Sequence, residues 1–250
     1  MGAKNLEACS PPLDRGVGDG RYIDVLSEAE CARVHEVVYE LRQTWSRGVV
    51  GPRGAGLGFA AYKIRHFRIK AIGRALYSRA ARRLNPVLRD RLGWLYDRLA
   101  EQLAEALGAP TAYPAHLALP GFHLFTAPIW DKTIHFDRPY EFLDWKAAGS
   151  ADLEHPLSFT LAVALPPSGA GLNLWDVGLE ECVGWSRQER EELRRTRKQT
   201  YVPYVLGKAV LHSGHTLHQV ASSPAFAAGD ERITLQGHGT LCDGIWQLYW

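Results

Sequence analysis

The chain has 250 residues, of which 46% are hydrophobic, and its formal net charge is +2. This length and hydrophobic content predict a single domain with a sizeable core. The four cysteines are scattered and form no CxxC pair, which argues against a zinc knuckle and against a disulfide framework, and reduced cysteines fit a cytoplasmic location. The N-terminus lacks the apolar segment of a signal peptide, and no apolar run is long enough to span a membrane.

Positive charge is concentrated in one segment. From Lys63 to Arg91 there are ten Lys or Arg residues and one acid, Asp90, so the remainder of the chain carries a charge of about −7. The first interpretation is a solvated helical face whose long side chains lie along apolar surface. An anionic substrate, a protein partner or a nucleic acid is the alternative interpretation.

The first half of the chain is predicted to be helical. Ser27 and Glu30 form a capping box ahead of an apolar repeat at helical spacing. A second helix is expected over residues 69–84. A third is expected to be capped by Asn85, with Pro86 in its first turn and a leucine stripe that ends at residue 107.

Residues 48–58 are rich in glycine and are predicted to form a mobile connection or a lid. The sequence Gly54-Ala55-Gly56-Leu57-Gly58 has only a superficial likeness to a phosphate-binding loop, because no apolar strand precedes it.

After residue 110 the apolar periodicity changes to two, which is typical of β-strands. Residues 157–165 alternate between large apolar side chains and small ones. The small face either leaves room for a ligand or meets a second sheet. A charged helix is expected at 186–200, and further strands are expected at 172–177, 201–206, 208–212, 217–220, 232–238 and 245–249.

This order of elements predicts an α+β chain built on a double-stranded β-helix, or jelly roll, with N-terminal helices packed on it. Residues 1–250 are expected to form one domain, in which residues 1–112 are a mainly helical layer and residues 113–250 are the jelly-roll core.

Candidate metal ligands lie in two parts of the chain. His135 and Asp137 are two positions apart and would point to the same side of a strand. Two imidazoles and one carboxylate form the facial set that holds Fe(II) and leaves positions open for oxygen and a cosubstrate. His218 is the favoured third ligand because it heads a His-x-Val strand. His215, which lies in an apparent turn, is the alternative, and His212 is also nearby.

The strand predicted at 232–238 has polar residues at every second position, Arg232, Thr234, Gln236 and His238. If its apolar face packs on helices or on a second sheet, these four side chains point into one cavity. Otherwise it is an edge strand with its polar face in water. A guanidinium grips a carboxylate with two parallel hydrogen bonds, so Arg232 suits a dicarboxylate cosubstrate.

The ordered motifs together resemble the iron- and 2-oxoglutarate-dependent dioxygenase superfamily, in its prolyl-hydroxylase-like branch. The resemblance covers residues 121–239 and rests on the motifs HFD (135–137), GAGLNL (169–174), GKAVLH (207–212), HQV (218–220) and GDERIT (229–234). Two departures are the insertion Asp230-Glu231 ahead of Arg232 and Thr234 in place of serine.

This resemblance implies that His135, Asp137 and His218 bind iron and that Arg232, helped by the Thr234 hydroxyl, anchors the distal carboxylate of 2-oxoglutarate. The implied cofactors are Fe(II), 2-oxoglutarate as cosubstrate and O2. Related iron halogenases lack the carboxylate at the position of Asp137, so hydroxylation or desaturation is expected here. Aromatic residues near the motif could line the substrate pocket: Phe125, Trp130, Tyr140, Trp145 and Trp175.

The expected function is hydroxylation of an unactivated C–H bond of a small molecule, such as an amino acid or a biosynthetic intermediate, with release of succinate and CO2. A protein side chain or an alkylated nucleic acid is an alternative substrate, suggested by the basic segment 63–91. A metal-binding jelly roll that acts as a sensor or scaffold is the alternative outside enzymology.

Overall fold

The computed structural model describes residues 20–47, 54–128, 133–145, 149–223 and 225–250. Within these ranges the α-helices are α1 (Glu28–Glu40), α2 (Lys70–Leu107) and α3 (Arg187–Thr196). The strands are β1 (Arg21–Asp24), β2 (Ser46–Arg47), β3 (Gly54–Leu57), β4 (Thr111–Ala112), β5 (Gly121–Phe125), β6 (Ala151–Ala164), β7 (Gly171–Gly178), β8 (Gln199–Pro203), β9 (Lys208–Ser213), β10 (Thr216–Val220), β11 (Arg232–Cys242) and β12 (Ile245–Tyr249). No helix within the described ranges is long and apolar enough to cross a membrane.

The strands form two sheets that face each other. The larger sheet runs β1-β9-β6-β11-β5-β3-β2, with β12 added beside β11 and β4 beside β12, and the smaller sheet runs β10-β7-β8. Ala162 of β6 and Leu172 of β7 belong to one buried cluster, which closes one end of the space between the sheets. The rest of that space holds polar side chains.

The two faces of the larger sheet differ in composition because side chains alternate along each strand. On β11, Ile233 and Leu235 are fully buried in the cluster that contains Val34 of α1 and Leu95 of α2. Burial of an aliphatic side chain of this size stabilises the fold by roughly 1.5–3 kcal/mol. The helices therefore cover the apolar face of β11, and its polar face is turned into the space between the sheets, as one of the two sequence interpretations expects.

The small side chains of β6 both meet the second sheet and leave room for other groups, the two alternatives that its sequence left open. Ala162 packs against the smaller sheet, whereas Ser158 and Thr160 are buried among polar partners. Residues 157–165 thus supply a packing contact at one end and room for polar chemistry at the other.

The capping box at Ser27 and Glu30 begins α1 as predicted. The two further helices are present as the two parts of α2, but the break between them is misplaced: α2 runs through Pro86 and kinks at Leu92 (φ −131°, ψ 18°). Asn85 does not cap a helix. Its side-chain amide donates to the Leu117 carbonyl at 2.8 Å and accepts from the Leu119 amide at 3.0 Å, so it ties α2 to the segment that leads into β5.

The prediction of a glycine-rich connection or lid is wrong for residues 54–57, which form strand β3 paired with β5. Gly56 lies opposite His123 in this pairing, and Gly54 lies opposite Phe125. A strand without side chains at these positions leaves space beside His123. Residues 48–53 lie outside the described residues.

Candidate metal centre and cosubstrate pocket

Two histidines from distant parts of the chain are joined through their backbones. The His135 amide donates to the His218 carbonyl at 3.0 Å, and the His218 amide donates to the His135 carbonyl at 3.0 Å. The paired residues of such an antiparallel bridge place their side chains on the same face. The two imidazole rings accordingly lie side by side, with centroids 4.4 Å apart.

Each of these rings is oriented in the same way. Nδ1 of His135 donates to the carbonyl of Thr133 at 2.8 Å, and Nδ1 of His218 donates to the carbonyl of Thr216 at 2.8 Å. A hydrogen bond at one ring nitrogen fixes the tautomer and leaves the other nitrogen as an acceptor. Nε2 of both rings is therefore the atom available to a metal.

Asp137 completes the cluster. Its Oδ1 lies 3.5 Å from His135 Nε2 and its Oδ2 lies 3.3 Å from His218 Nε2. One potential ligand atom from each of the three residues falls within 4.8 Å of the others. Burial raises the pKa of Asp137, but the positive charge of protonated His218 and hydrogen bonds from Nε2–H of His135 and His218 hold that pKa well below 3.8. The carboxylate is therefore ionised, as a metal ligand must be. A metal ion at this place would take the position of those two Nε2 protons.

Two neighbours from the larger sheet position Asp137. The Ser158 hydroxyl donates to Asp137 Oδ2 at 2.9 Å, and His238 Nδ1 lies 3.1 Å from the same hydroxyl oxygen. Because the serine donates to the carboxylate, His238 serves as donor to the serine. The sequence left the role of His238 open, and the structure places it behind the carboxylate of the cluster.

The other two histidines near His218 have partners of their own. His215 Nε2 lies 2.7 Å from the hydroxyl of Tyr140. His212 stacks beside His218 with ring centroids 4.6 Å apart, and its Nδ1 donates to the Ser213 carbonyl at 2.9 Å. Burial lowers the pKa of His212 to about 3, so its ring is neutral.

Arg232 is a buried cation on the same polar face of β11 as His238. Its side chain is 2% exposed, and no partner for Nε or Nη1 exists among the described residues. The guanidinium lies 4.5 Å from the ring centroid of Phe125 and 5.7 Å from that of Tyr204. Burial lowers the pKa of Arg232 from 12.5, which reflects the cost of removing the charge from water. Thr234, 1% exposed, is on the same face two residues further along β11.

A buried donor without a partner costs about 1–3 kcal/mol, and more for a charged group. Such a group is retained where a ligand supplies the missing acceptor. A carboxylate fits Arg232, since its two oxygens match the guanidinium fork. The residues present therefore fit both a divalent metal, through three ligand atoms, and an acid that reaches Arg232.

Three further residues of this cavity were not predicted from the sequence. His123 of β5 lies opposite Thr234, and its Nε2 is 3.1 Å from the hydroxyl of Tyr62. Burial lowers the pKa of His123 to about 3, helped by Arg232. Tyr204 is buried beside Arg232. Only the alternation of Gly121, His123 and Phe125 on one side of a short strand could have indicated His123.

The aromatic residues proposed to line the pocket separate into different places. Phe125 lies under Arg232. Tyr140 bonds His215, and the Trp145 indole donates to the Tyr140 carbonyl at 3.0 Å. Trp175 packs in a cluster with Leu193 of α3, on the opposite side of β7 from Leu172. Trp130 lies outside the described residues.

The two inserted acids ahead of Arg232 have structural roles. The Glu231 carboxylate accepts hydrogen bonds from His35 and Tyr39 of α1, and the Asp230 carboxylate accepts from the Ala227 amide at 2.8 Å. This departure from the family motif ties the start of β11 to α1 and leaves Arg232 turned inward.

No protein-family model and no curated protein sequence matches the chain. Solved structures do match it. The crystal structure of an N-substituted L-amino acid dioxygenase from Burkholderia ambifaria AMMD superposes with a TM-score of 0.60 at 14% identity, covering 92% of this chain and 85% of that one. A structure of an N-substituted L-amino acid dioxygenase from the same organism in complex with alpha-ketoglutarate gives a TM-score of 0.58 at 14% identity, with the same coverage.

These likenesses confirm the predicted fold. The chain has the α+β architecture of these dioxygenase structures, with a double-stranded β-helix core and helices packed on it. The sequence motifs predicted this fold independently of the superposition.

Proposed function

We propose that this protein is an Fe(II)- and 2-oxoglutarate-dependent oxygenase. The observation that carries the proposal is that the polar face of β11 links two features: a His-Asp-His cluster, which His238 reaches through Ser158, and the buried guanidinium of Arg232, whose Nε and Nη1 have no partner among the described residues. A metal site alone fits a sensor or scaffold. A metal site together with an arginine that can bind a carboxylate fits a metal enzyme with an acidic cosubstrate.

In this proposal His135, Asp137 and His218 hold the iron, and Arg232 binds the distal carboxylate of 2-oxoglutarate. When bound, iron with 2-oxoglutarate and O2 supplies an oxidant that attacks an unactivated C–H bond, with release of succinate and CO2. The backbone carbonyls of Thr133 and Thr216 hold the histidine rings in their ligating orientation.

The chain's own groups also control water and charge around the site. Phe125 and Tyr204 cover the guanidinium of Arg232 and exclude water from it, which strengthens its attraction for a carboxylate. Ser158 holds one oxygen of Asp137 in place. Thr234 is close enough along β11 to add a hydroxyl to the same carboxylate site.

We propose a small molecule as the substrate, hydroxylated at an unactivated carbon. The structurally similar dioxygenase that acts on N-substituted L-amino acids supports this class. Asp137 fills the coordination position that a halide would need, so we propose hydroxylation or desaturation and not halogenation.

The test is anaerobic loading of the purified protein with Fe(II) and 2-oxoglutarate, followed by oxygen and measurement of succinate. We expect a visible charge-transfer band before oxygen is added and succinate afterwards. Succinate formation should increase when one of a set of screened metabolites is the substrate. With excess chloride present, the product of a stimulating metabolite should gain one oxygen atom or lose two hydrogen atoms. A protein that binds iron but forms neither the band nor succinate would contradict the oxygenase and favour a metal-binding scaffold.

A further inference from the structure

Lys63 carries an ammonium group that the fold holds against aromatic rings. Its Nζ lies 4.7 Å from the ring centroid of Phe59 and 5.9 Å from that of Trp250. Nζ also donates to the Ser46 hydroxyl at 3.4 Å. Burial lowers the pKa of Lys63 from 10.5 to about 8. The fold therefore keeps a lysine in a setting that disfavours its charge.

Lys63 has no acidic partner within the part of the chain that the structure describes. Among the described residues no carboxylate lies within 4.0 Å of its Nζ, and burial alone accounts for its lowered pKa. Other cations lie nearby. Lys63 and Arg232 both act to lower the pKa of His123, and the exposed Arg65 lies 5.8 Å from the ring centroid of Tyr62. A cavity with a surplus of fixed positive charge attracts anions.

The turn that carries Lys63 is fixed to strand β5 through Trp250. In the 3-10 turn Ala61–His66, Ala61 and Ile64 are fully buried, and the Ala61 amide donates to the Trp250 carbonyl at 2.8 Å. The indole of Trp250 rests directly on β5, because a Cβ at Gly121 would lie 2.0 Å from its Cε3. Lys63 therefore stands over the inner face of β5, next to His123.

The same turn reaches toward the metal cluster. Tyr62 precedes Lys63 and bonds His123 at 3.1 Å. Burial raises the pKa of Tyr62, and the charge of Asp137 adds to the effect. Tyr62 thus lies between Lys63 and the candidate metal ligands, while Lys63 belongs to neither the metal cluster nor the Arg232 pocket.

We propose that Lys63 binds a carboxylate of the primary substrate, so that the substrates of this protein are small carboxylic acids; this rests on the proposed function, in which Arg232 is already taken by the cosubstrate. Lys63 and Arg232 are both close enough to His123 to lower its pKa, and each of the two cations can bind one anion. A single ammonium with neutral hydroxyl neighbours matches the single charge of a carboxylate. The aromatic side chains Phe59 and Tyr62 beside it suit an acid with an apolar body.

The test uses the protein loaded with Zn(II) and 2-oxoglutarate, its lysines reductively methylated with carbon-13, a change that keeps their charge. The Lys63 resonance is assigned by its loss in Lys63→Arg. Phenylacetate and its uncharged counterpart phenylacetamide are then titrated by NMR. We expect phenylacetate to shift the Lys63 resonance saturably and phenylacetamide to leave it in place.

Variants give a second readout of the same binding. Lys63→Met should weaken phenylacetate at least 10-fold, whereas Lys208→Met, which removes a surface lysine paired with Asp24 at 2.8 Å, should not change it. A Lys63 resonance that moves with neither probe, or equally with both, would overturn the proposal, as would unchanged phenylacetate affinity in Lys63→Met. The charge-transfer band of the Fe(II) protein with 2-oxoglutarate is measured separately. A missing band would count against the proposed oxygenase. A normal band together with a Lys63 resonance that phenylacetate does not shift would count against the carboxylate site.

Discussion

The arginines of α2 and the arginine of β11 differ in both burial and pairing. On α2, Arg89 pairs with Asp97 at 2.7 Å and Arg91 pairs with Glu40, and both arginine side chains are 39% exposed. On β11, Arg232 is 2% exposed, and its Nε and Nη1 have no partner among the described residues. The large positive charge of the segment 63–91 is thus mostly a solvated helical face. The single charge of Arg232 carries more functional information.

The difference follows from what each charge costs. Exposed ion pairs contribute about 0–1 kcal/mol and are easily exchanged for water. A buried charge without a partner costs several kcal/mol. Stability alone does not favour the second kind, which agrees with the proposal that Arg232 binds the carboxylate of a ligand. Lys63 belongs to the basic segment 63–91 but, unlike the arginines of α2, is half-buried against Phe59 and Trp250.

The largest effect of a substitution is expected on iron binding by the His-Asp-His cluster. His135→Ala, Asp137→Ala and His218→Ala should each lose most of the bound iron, because each removes one of three ligand atoms. His215→Ala is the matched control, since His215 is bonded to Tyr140. Metal content after Fe(II) loading and desalting is the measurement. Iron retained in His218→Ala but lost in His215→Ala would show that the third ligand is misassigned.

The next effect concerns Arg232. Arg232→Leu should keep its iron and bind 2-oxoglutarate roughly 10- to 100-fold more weakly, since charge-assisted hydrogen bonds contribute about 1.5–3 kcal/mol. Titration of the visible charge-transfer band of the ferrous complex measures this affinity. Arg91→Leu, which removes an exposed cation paired with Glu40, is the control. Equal affinities of the two variants for 2-oxoglutarate would show that the buried arginine contributes no more to its binding than the exposed one.

Lys63 gives a smaller effect with a defined pH dependence. Its pKa is about 8 in the folded protein, against 10.5 for an unperturbed lysine. The unfolded chain therefore binds more protons between these values, and the stability of the native protein rises with pH across this window. Lys63→Met should raise the free energy of unfolding at pH 7 by about 1–3 kcal/mol, after allowance for partial exposure. The gain should disappear above pH 10.5.

The groups that face Lys63 keep their charge through most of that window. The pKa of His123 is about 3, burial raises the pKa of Tyr62 above 10, and Ser46 is neutral. Urea unfolding at pH 7 and at pH 10.5 in the wild type, Lys63→Met and Lys208→Met measures the effect. A Lys63→Met variant less stable than the wild type at pH 7 would contradict the cost assigned to its ammonium.

The smallest effect is expected on the surface. Arg82 and Arg83 of α2 are exposed, so the double change Arg82→Glu and Arg83→Glu should alter stability by less than about 1 kcal/mol. Succinate formation should be unchanged. Binding of the wild type to DNA or RNA that weakens steeply with salt, and that this variant abolishes, would instead favour a nucleic-acid role for the basic segment.

The sequence predicted the parts of the site that lie on regularly alternating strands, and also His135 and Asp137, of which only His135 forms an isolated β-bridge. Arg232 and Thr234 share a face with His238 because β11 is regular, and Ile233 with Leu235 marked the opposite face as buried. His123, Tyr62 and Lys63 were not predicted, because they come from a five-residue strand and a 3-10 turn without a periodic pattern. β3 was missed for a related reason: its glycines have low strand propensity, and only pairing with β5 makes them a strand.

Helix α2 shows a second case in which the local sequence does not determine the structure. Asn85 followed by Pro86 is typical of a helix start, yet α2 continues through both. The bonds from Asn85 to Leu117 and Leu119 come from residues more than 30 positions away. Tertiary contacts of this kind outweigh a local preference and cannot be read from neighbouring residues.

The backbone bridge between His135 and His218 also bears on the unfolded chain. Those residues are 83 positions apart, so a metal held by both would act as a cross-link that closes a long loop. For a covalent link of this span, the lost chain entropy corresponds to about 4–5 kcal/mol. Iron would then stabilise the fold as well as take part in the reaction. Removal of the metal would loosen the segment around residue 135, which is otherwise attached to the sheets by backbone hydrogen bonds to His218 and Gly214 and by the burial of Ile134 beside Leu217.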